Sequence, residues 1–368
     1  MIRVPDADWP NMTDDLDASS LSRALEQSRL YLRRLPPDRM FRYGRDAYPA
    51  AHLLASLNMF EKLYVALGPG PELTGALAQN FVLYRSVGRD DGGEVLQTGY
   101  YEPLLSGSLD RTDRYRWPIL RRPDDLVAVH LGDFAGDLEG RRIVGRLEGT
   151  RLVPYYSRAE IDFENALAGR NLELVWVDDP VALFFLHVQG SGRVRLQDGR
   201  IVRVGFAGSN GRPYRSLGRH MVRLGLLERD GISMQAIRDW LGAHPDKAAP
   251  VLGHNERYVF FRFLEGDPVG NINVPLTPGR SVALDDRIFP KGALSWISGR
   301  RPRMMVGPVT ELDDFGRFVL VQDTGSAIRG PGRLDLFFGY GEQAEWAAGH
   351  MKAPGRVFFL VMKGSPAS

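Results

Sequence analysis

"LVQDTGSAIRGPGRLDLFFG", Leu320 to Gly339, carries two aspartates twelve residues apart, Asp323 in a Thr-Gly turn and Asp335 in an apolar strand ending at Gly339. Taken alone, the Asp323-Thr324-Gly325 turn has the form of an aspartic protease active site, where two carboxylates share one proton because like charges in contact cannot both ionise. A single-chain enzyme of that kind needs two such turns, and the sequence has one. The simpler reading is an aspartate that caps its own turn through the Thr324 and Gly325 amides. Asp335 shifts the balance. Leu334, Leu336, Phe337 and Phe338 give it apolar neighbours, and desolvation raises a carboxyl pKa. A general acid is kept protonated near neutral pH in this way.

At 368 residues the chain is comfortable for two domains. Apolar residues make up 43% and charged residues 25%, as in ordinary globular proteins. The net charge of +2, from 47 basic and 45 acidic residues, provides no basic excess of the kind that binds nucleic acid. With no cysteine there is no disulfide, thiolate metal site, thiol nucleophile or lipidation through a cysteine. The apolar run "VALFFLHV" (Val181 to Val188) is too short for a membrane span, and "MIRVPDADWP" at the start has no signal-peptide hydrophobic region.

The first ninety or so residues read as helical. "SSLSRALEQSRLYLRRLP" spaces Leu21, Leu25 and Leu32 for one helix face, with serines available as caps. "YPAAHLLASLNMFEKLYVALG" places Pro49 at a first turn, Leu53, Leu57 and Phe60 on one face, and Gly68 at the end. "PELTGALAQNFVLYRSVG" reads as a third helix. From "EVLQTGYYEPLL" onward strands dominate. "VRLQDGRIVRVGFAG" is a hairpin signal around Asp198-Gly199. Two helices interrupt, "PYRSLGRHMVRLGLL" and "SMQAIRDWLGAHP", the second with Ser233 as cap and Ile237, Trp240 and Leu241 as buried face. Strands do not alternate with helices, which argues against an all-parallel doubly wound sheet.

Other chemistries fail on spacing. The seven histidines form no H-E-x-x-H or close i, i+4 pair, so no metal is expected. "GSGRVR" has Arg195 where a dinucleotide fingerprint needs its third glycine, and no Walker lysine exists. In "AGSNG", Ser209 lies between Gly208 and Asn210, with Ala207 where the nucleophile elbow needs its first glycine, so the pattern is broken.

Seven segments occur in order: "QTGYYEP" (Gln97 to Pro103), "VQGSGRVRL", "VGFAGSNGRPYRSLGR", "SMQAIRDWL", "NERYVFFR", "GNINVPLTPGRSVALDDRIFPKGALSWI" and "QDTGSAIRGPGRLDLFFGYGEQAEWAAGHM". Together they closely resemble the MltA family of lytic murein transglycosylases, from about Val95 to Met362. The resemblance implies a mixed α and β, mainly β fold: a double-psi β-barrel domain with a helical N-terminus, plus an inserted smaller β-rich domain, with a groove between them. The expected boundaries are 1–104 with 262–368 for the barrel domain and 105–261 for the insert. Its C-terminal part resembles the 3D domain, whose three aspartates fall at Asp285, Asp323 and Asp335.

The implied activity is cleavage of the β-1,4 bond between N-acetylmuramic acid and N-acetylglucosamine, leaving 1,6-anhydromuramic acid ends. The family's single catalytic carboxyl matches Asp335, with Asp323 tuning or positioning the site and Asp285 the remaining 3D aspartate. Tyr100, Tyr101, Glu102, Gln189, Gly190, Ser191, Ser209, Asn210 and Tyr214 are the expected substrate-binding residues. Many members have Thr where Glu102 stands, which would make Glu102 a second acidic group in the groove. No cofactor or metal is implied. The expected partners are peptidoglycan glycan strands and other cell-wall enzymes, with no nucleic acid. The protein is expected to be monomeric and periplasmic, in association with the outer membrane, although this chain carries no lipidation cysteine. The alternative is a non-catalytic or hydrolytic peptidoglycan-binding double-psi barrel.

Overall fold

The N-terminal helices bury the stripes their periodicity defines. Residues 1–229, 232–266, 269–303, 312–325 and 328–364 are described by the computed structural model, and by contact they divide into two units, Met1–Tyr101 with Gly266–Ser368, and Glu102–Glu265. In the first unit, helix Ala18–Arg33 buries Leu21, Leu25 and Leu32, but its cap is Asp17, not a serine: the Asp17 carboxylate accepts the Ser20 amide. Helix Ala50–Leu67 has Pro49 at its N-cap and stops at Gly68, whose φ of 69° suits glycine. Phe60 reaches the sheet, its ring 4.8 Å from that of Phe318; full burial of such a ring contributes about 1.5–3 kcal/mol.

The third expected helix is cut short. It ends at Asn80, and Phe81–Arg85 becomes a strand antiparallel to Lys352–Met362. The run Phe-Val-Leu-Tyr favours strand, and pairing with a buried partner decides it.

The sheet of the first unit has eight strands in the order Ile2–Arg3, Phe81–Arg85, Lys352–Met362, Leu294–Pro302, Leu312–Asp323, Ser281–Ala283, Arg333–Tyr340 and Val95–Glu102. The last pairs back onto Lys352–Met362, with Thr98 opposite Lys352, so six of the strands close into a ring. Ser281–Ala283 runs parallel to Leu312–Asp323 and antiparallel to Arg333–Tyr340. A fully buried Arg280 ties the N-terminal segment to this sheet through both oxygens of Asp14, at 2.9 and 2.8 Å, and through the Phe318 carbonyl.

The second unit is built on a six-stranded sheet in the order Val259–Leu264, Ile201–Ser209, Ser191–Leu196, Leu104–Ser108, Glu173–Val177 and Trp117–Leu120. The Asp198-Gly199 hairpin forms with Val194 opposite Val202. The apolar run at Val181 is a helix, Pro180–Gln189, started by the Asp179 carboxylate on the Val181 and Ala182 amides and ended by left-handed Gly190. Ser233 caps Met234–Ala243, burying Ile237 and Leu241, while Trp240 is only partly covered. Pro245 opens a further helix, Pro245–Gly253, as its fixed φ permits at a first turn. Helix Glu342–His350 also interrupts the C-terminal region, where the sequence pattern suggests only strands. The chain is therefore mixed and mainly β. Among the described residues no helix is long and apolar enough to cross a membrane.

Candidate active site

Successive strand residues face opposite ways, and this sorts the neighbours of Asp335. Leu334 and Leu336 belong to the hydrophobic core of the first unit, and Phe338 packs against it. Arg333, Asp335 and Phe337 alternate with them and share the other face. The apolar surround expected from Leu334, Leu336 and Phe338 is therefore on the wrong side; of the four only Phe337 shares the face of Asp335. Asp335 is nonetheless half-buried, and burial pushes its carboxyl up to about 6, with the charge of Asp323 adding to the rise and Thr98 and Arg333 opposing it.

Asp323 ends the neighbouring-but-one strand. Ala283 lies between the two acids, the Cα partner of Asp323 on one side and of Asp335 on the other. Residues two apart on strand Val95–Glu102 reach both. The Thr98 hydroxyl donates to Asp335 Oδ1 at 2.8 Å, and the Tyr100 hydroxyl donates to Asp323 Oδ2 at 2.8 Å. Asp323 Oδ1 accepts the Asn271 and Thr324 amides at 3.0 and 2.9 Å. These three donors favour the carboxylate, yet burial outweighs them and raises the Asp323 pKa. Burial together with the Asp323 charge raises Tyr100 well above its ordinary value, so its phenol stays a donor. Its ring packs 5.2 Å from that of Phe337.

Between Thr98 and Tyr100, Gly99 has no room for a side chain: a Cβ there would stand 2.6 Å from the Phe338 ring and 2.8 Å from the Ala348 backbone. The tight approach of helix Glu342–His350 sets where the strand, and hence both hydroxyls, must lie.

Asp285 is buried and has another task. Its carboxylate takes the Arg287 guanidinium at 2.9 and 2.6 Å and the Gly330 amide at 2.8 Å, so it clasps the segment that leads from Asp323 to Asp335. The Arg287 contact holds its pKa well below the ordinary carboxylate range.

The remaining candidates lie in the second unit or at its border. Glu102 is not an available acid. It is 3% exposed and held by Arg193 Nε at 2.9 Å and Arg203 Nη2 at 2.8 Å. Asn210 is 1% exposed and fully engaged: its amide donates to the Tyr156 and Glu256 carbonyls at 2.8 Å each, and its oxygen accepts the Tyr258 amide at 2.9 Å. Both side chains are scaffold, because every polar group capable of meeting a sugar already has a protein partner. Tyr101 is buried. Gln189, Gly190 and Ser191 form the turn from helix Pro180–Gln189 into strand Ser191–Leu196, half-buried, with Ser209 similar and Tyr214 exposed. Sequence reasoning missed Thr98, Arg333 and Asn271. For Thr98 a signal existed, since it has the same strand parity as Tyr100.

The chain matches a family model described as the MltA-specific insert domain over residues 96–262, and one described as the 3D domain over residues 280–361. The membrane-bound lytic murein transglycosylase A of Vibrio cholerae is 32% identical over 288 residues, spanning 76% of this chain and 68% of that protein. Its Escherichia coli counterpart is 31% identical over 284 residues, spanning 74% and 67%. Among solved structures, a membrane-bound lytic murein transglycosylase from Agrobacterium tumefaciens aligns with TM-score 0.74 at 32% identity, covering 98% of this chain and 97% of that one. Escherichia coli MltA with bound chitohexaose aligns with TM-score 0.76 at 25% identity, covering 99% and 94%.

Proposed function

The chain belongs to the MltA family of lytic murein transglycosylases, and we propose that it cleaves peptidoglycan glycan strands with Asp335 as its single acid and base. The carrying observation is the half-buried Asp335 carboxyl, raised to about 6 and met by a neutral hydroxyl instead of a salt bridge. Protonated, it gives its proton to the glycosidic oxygen as the bond to the muramic acid C1 breaks. As carboxylate it then takes the proton from the C6 hydroxyl of the same sugar, whose oxygen bonds to C1 and closes the 1,6-anhydro ring. Asp335 ends reprotonated and no water is consumed. Ordinary glycosidases use two carboxyls. One suffices here because the substrate supplies the nucleophile, and the intramolecular attack gains from proximity.

Burial is what chiefly keeps Asp335 protonated, and Asp323, held by Tyr100 and two amides, is the fixed neighbour whose charge adds to it. The closed ring of six strands supports reading the first unit as the double-psi β-barrel, with Asp285 as its structural 3D aspartate. Half-buried Gln189, Ser191 and Ser209 and exposed Tyr214 carry polar groups of the kind that meet sugar hydroxyls and acetamides. Bound chitohexaose in the Escherichia coli structure supports a glycan ligand for this chain too. Such a substrate places the protein in the periplasm, at the outer membrane. Digestion of purified sacculi tests the reading. Anhydro ends are lighter than reducing ends by one water, and Asp335→Asn should lose activity about a hundredfold or more. Reducing ends alone from the wild type would make the enzyme a hydrolase, and a fully active Asp335→Asn would place the acid elsewhere.

A further inference from the structure

We propose that Thr98 and Arg333 are positioning residues that fix which oxygen of Asp335 carries the transferable proton. The proposal rests on Asp335 being the acid. Arg333 Nη2 donates to Thr98 Oγ1 at 3.3 Å, and Thr98 Oγ1 lies 2.8 Å from Asp335 Oδ1. A threonine hydroxyl has one hydrogen. With the guanidinium occupying one lone pair of the hydroxyl oxygen, that hydrogen has two possible acceptors: Asp335 Oδ1, or the Leu334 carbonyl at a poor 3.4 Å. It goes to Oδ1, so Oδ1 is the acceptor oxygen and the exchangeable proton resides on Oδ2.

Arg333 suits this task because no described carboxylate neutralises it. It makes no ion pair among the described residues, and its Nε is buried without a hydrogen-bond partner. Arg333 and Asp335 are two apart on one strand and share a face, so the cation polarises the hydroxyl and faces the acid from its own strand. Asp323 acts on Asp335 from two strands away, across Ala283, and Tyr100, on the same strand as Thr98, donates to Asp323. The relay supports the ionised form of Asp335 and Asp323 opposes it, which leaves the acid ready to give up its proton and take one back within a turnover.

The test is the pH profile of kcat/KM on purified sacculi. Its falling limb should reflect Asp335. Thr98→Val keeps the shape and removes the donor to the carboxylate, so the limb should move up by about one pH unit. kcat should fall roughly tenfold, a fraction of the general-acid contribution of about a hundredfold or more. Thr98→Ser should restore limb and rate. Arg333→Met should move the limb in the same direction. A merely structural role would lower the amount of folded enzyme and leave the limb in place. A Thr98→Val limb that stays put or moves down, or a serine variant that fails to restore it, overturns the relay. Asp335→Asn measured alongside separates the failures: if it is inactive while the Thr98→Val limb is unmoved, only the relay falls; if it is active, the acid assignment falls and the relay with it.

Discussion

Replacing Asp335 with asparagine should make the protein more stable while removing its activity, and the gain should depend on pH. Burial raises the Asp335 pKa from 3.8 to about 6. The unfolded chain therefore ionises this group before the folded one does. Between about pH 4 and pH 6 the folded state binds more protons, so stability falls as pH rises and the full penalty is present above pH 6. A rise of that size corresponds to about 3 kcal/mol, or about 2–3 kcal/mol after allowance for partial exposure. Asparagine resembles the protonated acid in shape and carries no charge, so it removes the penalty. For a unit of about 200 residues that is a rise in melting temperature of about 5–10 °C at pH 8. At pH 4, where the folded wild type holds the proton, the gain should almost vanish. Thermal melts of both proteins at the two pH values measure this. An equal gain at both, or none at pH 8, would refute the idea that Asp335 is held in a site hostile to its charge.

Asp323→Asn should leave reduced but measurable activity, with the falling limb of the pH profile moved down. Two strand spacings place the acids roughly 10 Å apart, and at an effective dielectric near 20 a charge there contributes at most about 1.7 kcal/mol, or about one pH unit. Asparagine keeps one oxygen for the Asn271 and Thr324 amides, and the Tyr100 hydroxyl can reverse to accept from the new amide; a loss as deep as that of Asp335→Asn, with folding intact, would make Asp323 a partner in proton transfer. Glu102→Ala removes a carboxylate shared by two largely buried arginines and should cost about 3–5 kcal/mol of stability. The folded fraction should keep its lytic products, and loss of the reaction in fully folded enzyme, seen by circular dichroism and muropeptide analysis together, would return Glu102 to the chemistry.

Local periodicity, turn chemistry and motif order were enough to read the helical stripes, the Asp198-Gly199 hairpin, the mainly β character and the family. Asp335 and Asp323 stand out as candidates for the same reason: an acid inside an apolar strand and an acid in a Thr-Gly turn are local anomalies. What desolvates Asp335 was not readable. Its flanking leucines point into the core, and which face of a strand is covered depends on partners distant in the chain. Thr98 is 237 residues from Asp335 and Tyr100 is 223 from Asp323, so neither contact has a local signature. Glu102 and Asn210 show the same limit from the other side. Each carries groups that could bind a sugar, and only long-range packing, by burying them beside Arg193, Arg203 and the Tyr156 and Glu256 carbonyls, commits those groups to the protein itself. A buried polar atom must be satisfied where it lies, and where it lies is decided by pairing between distant parts of the chain.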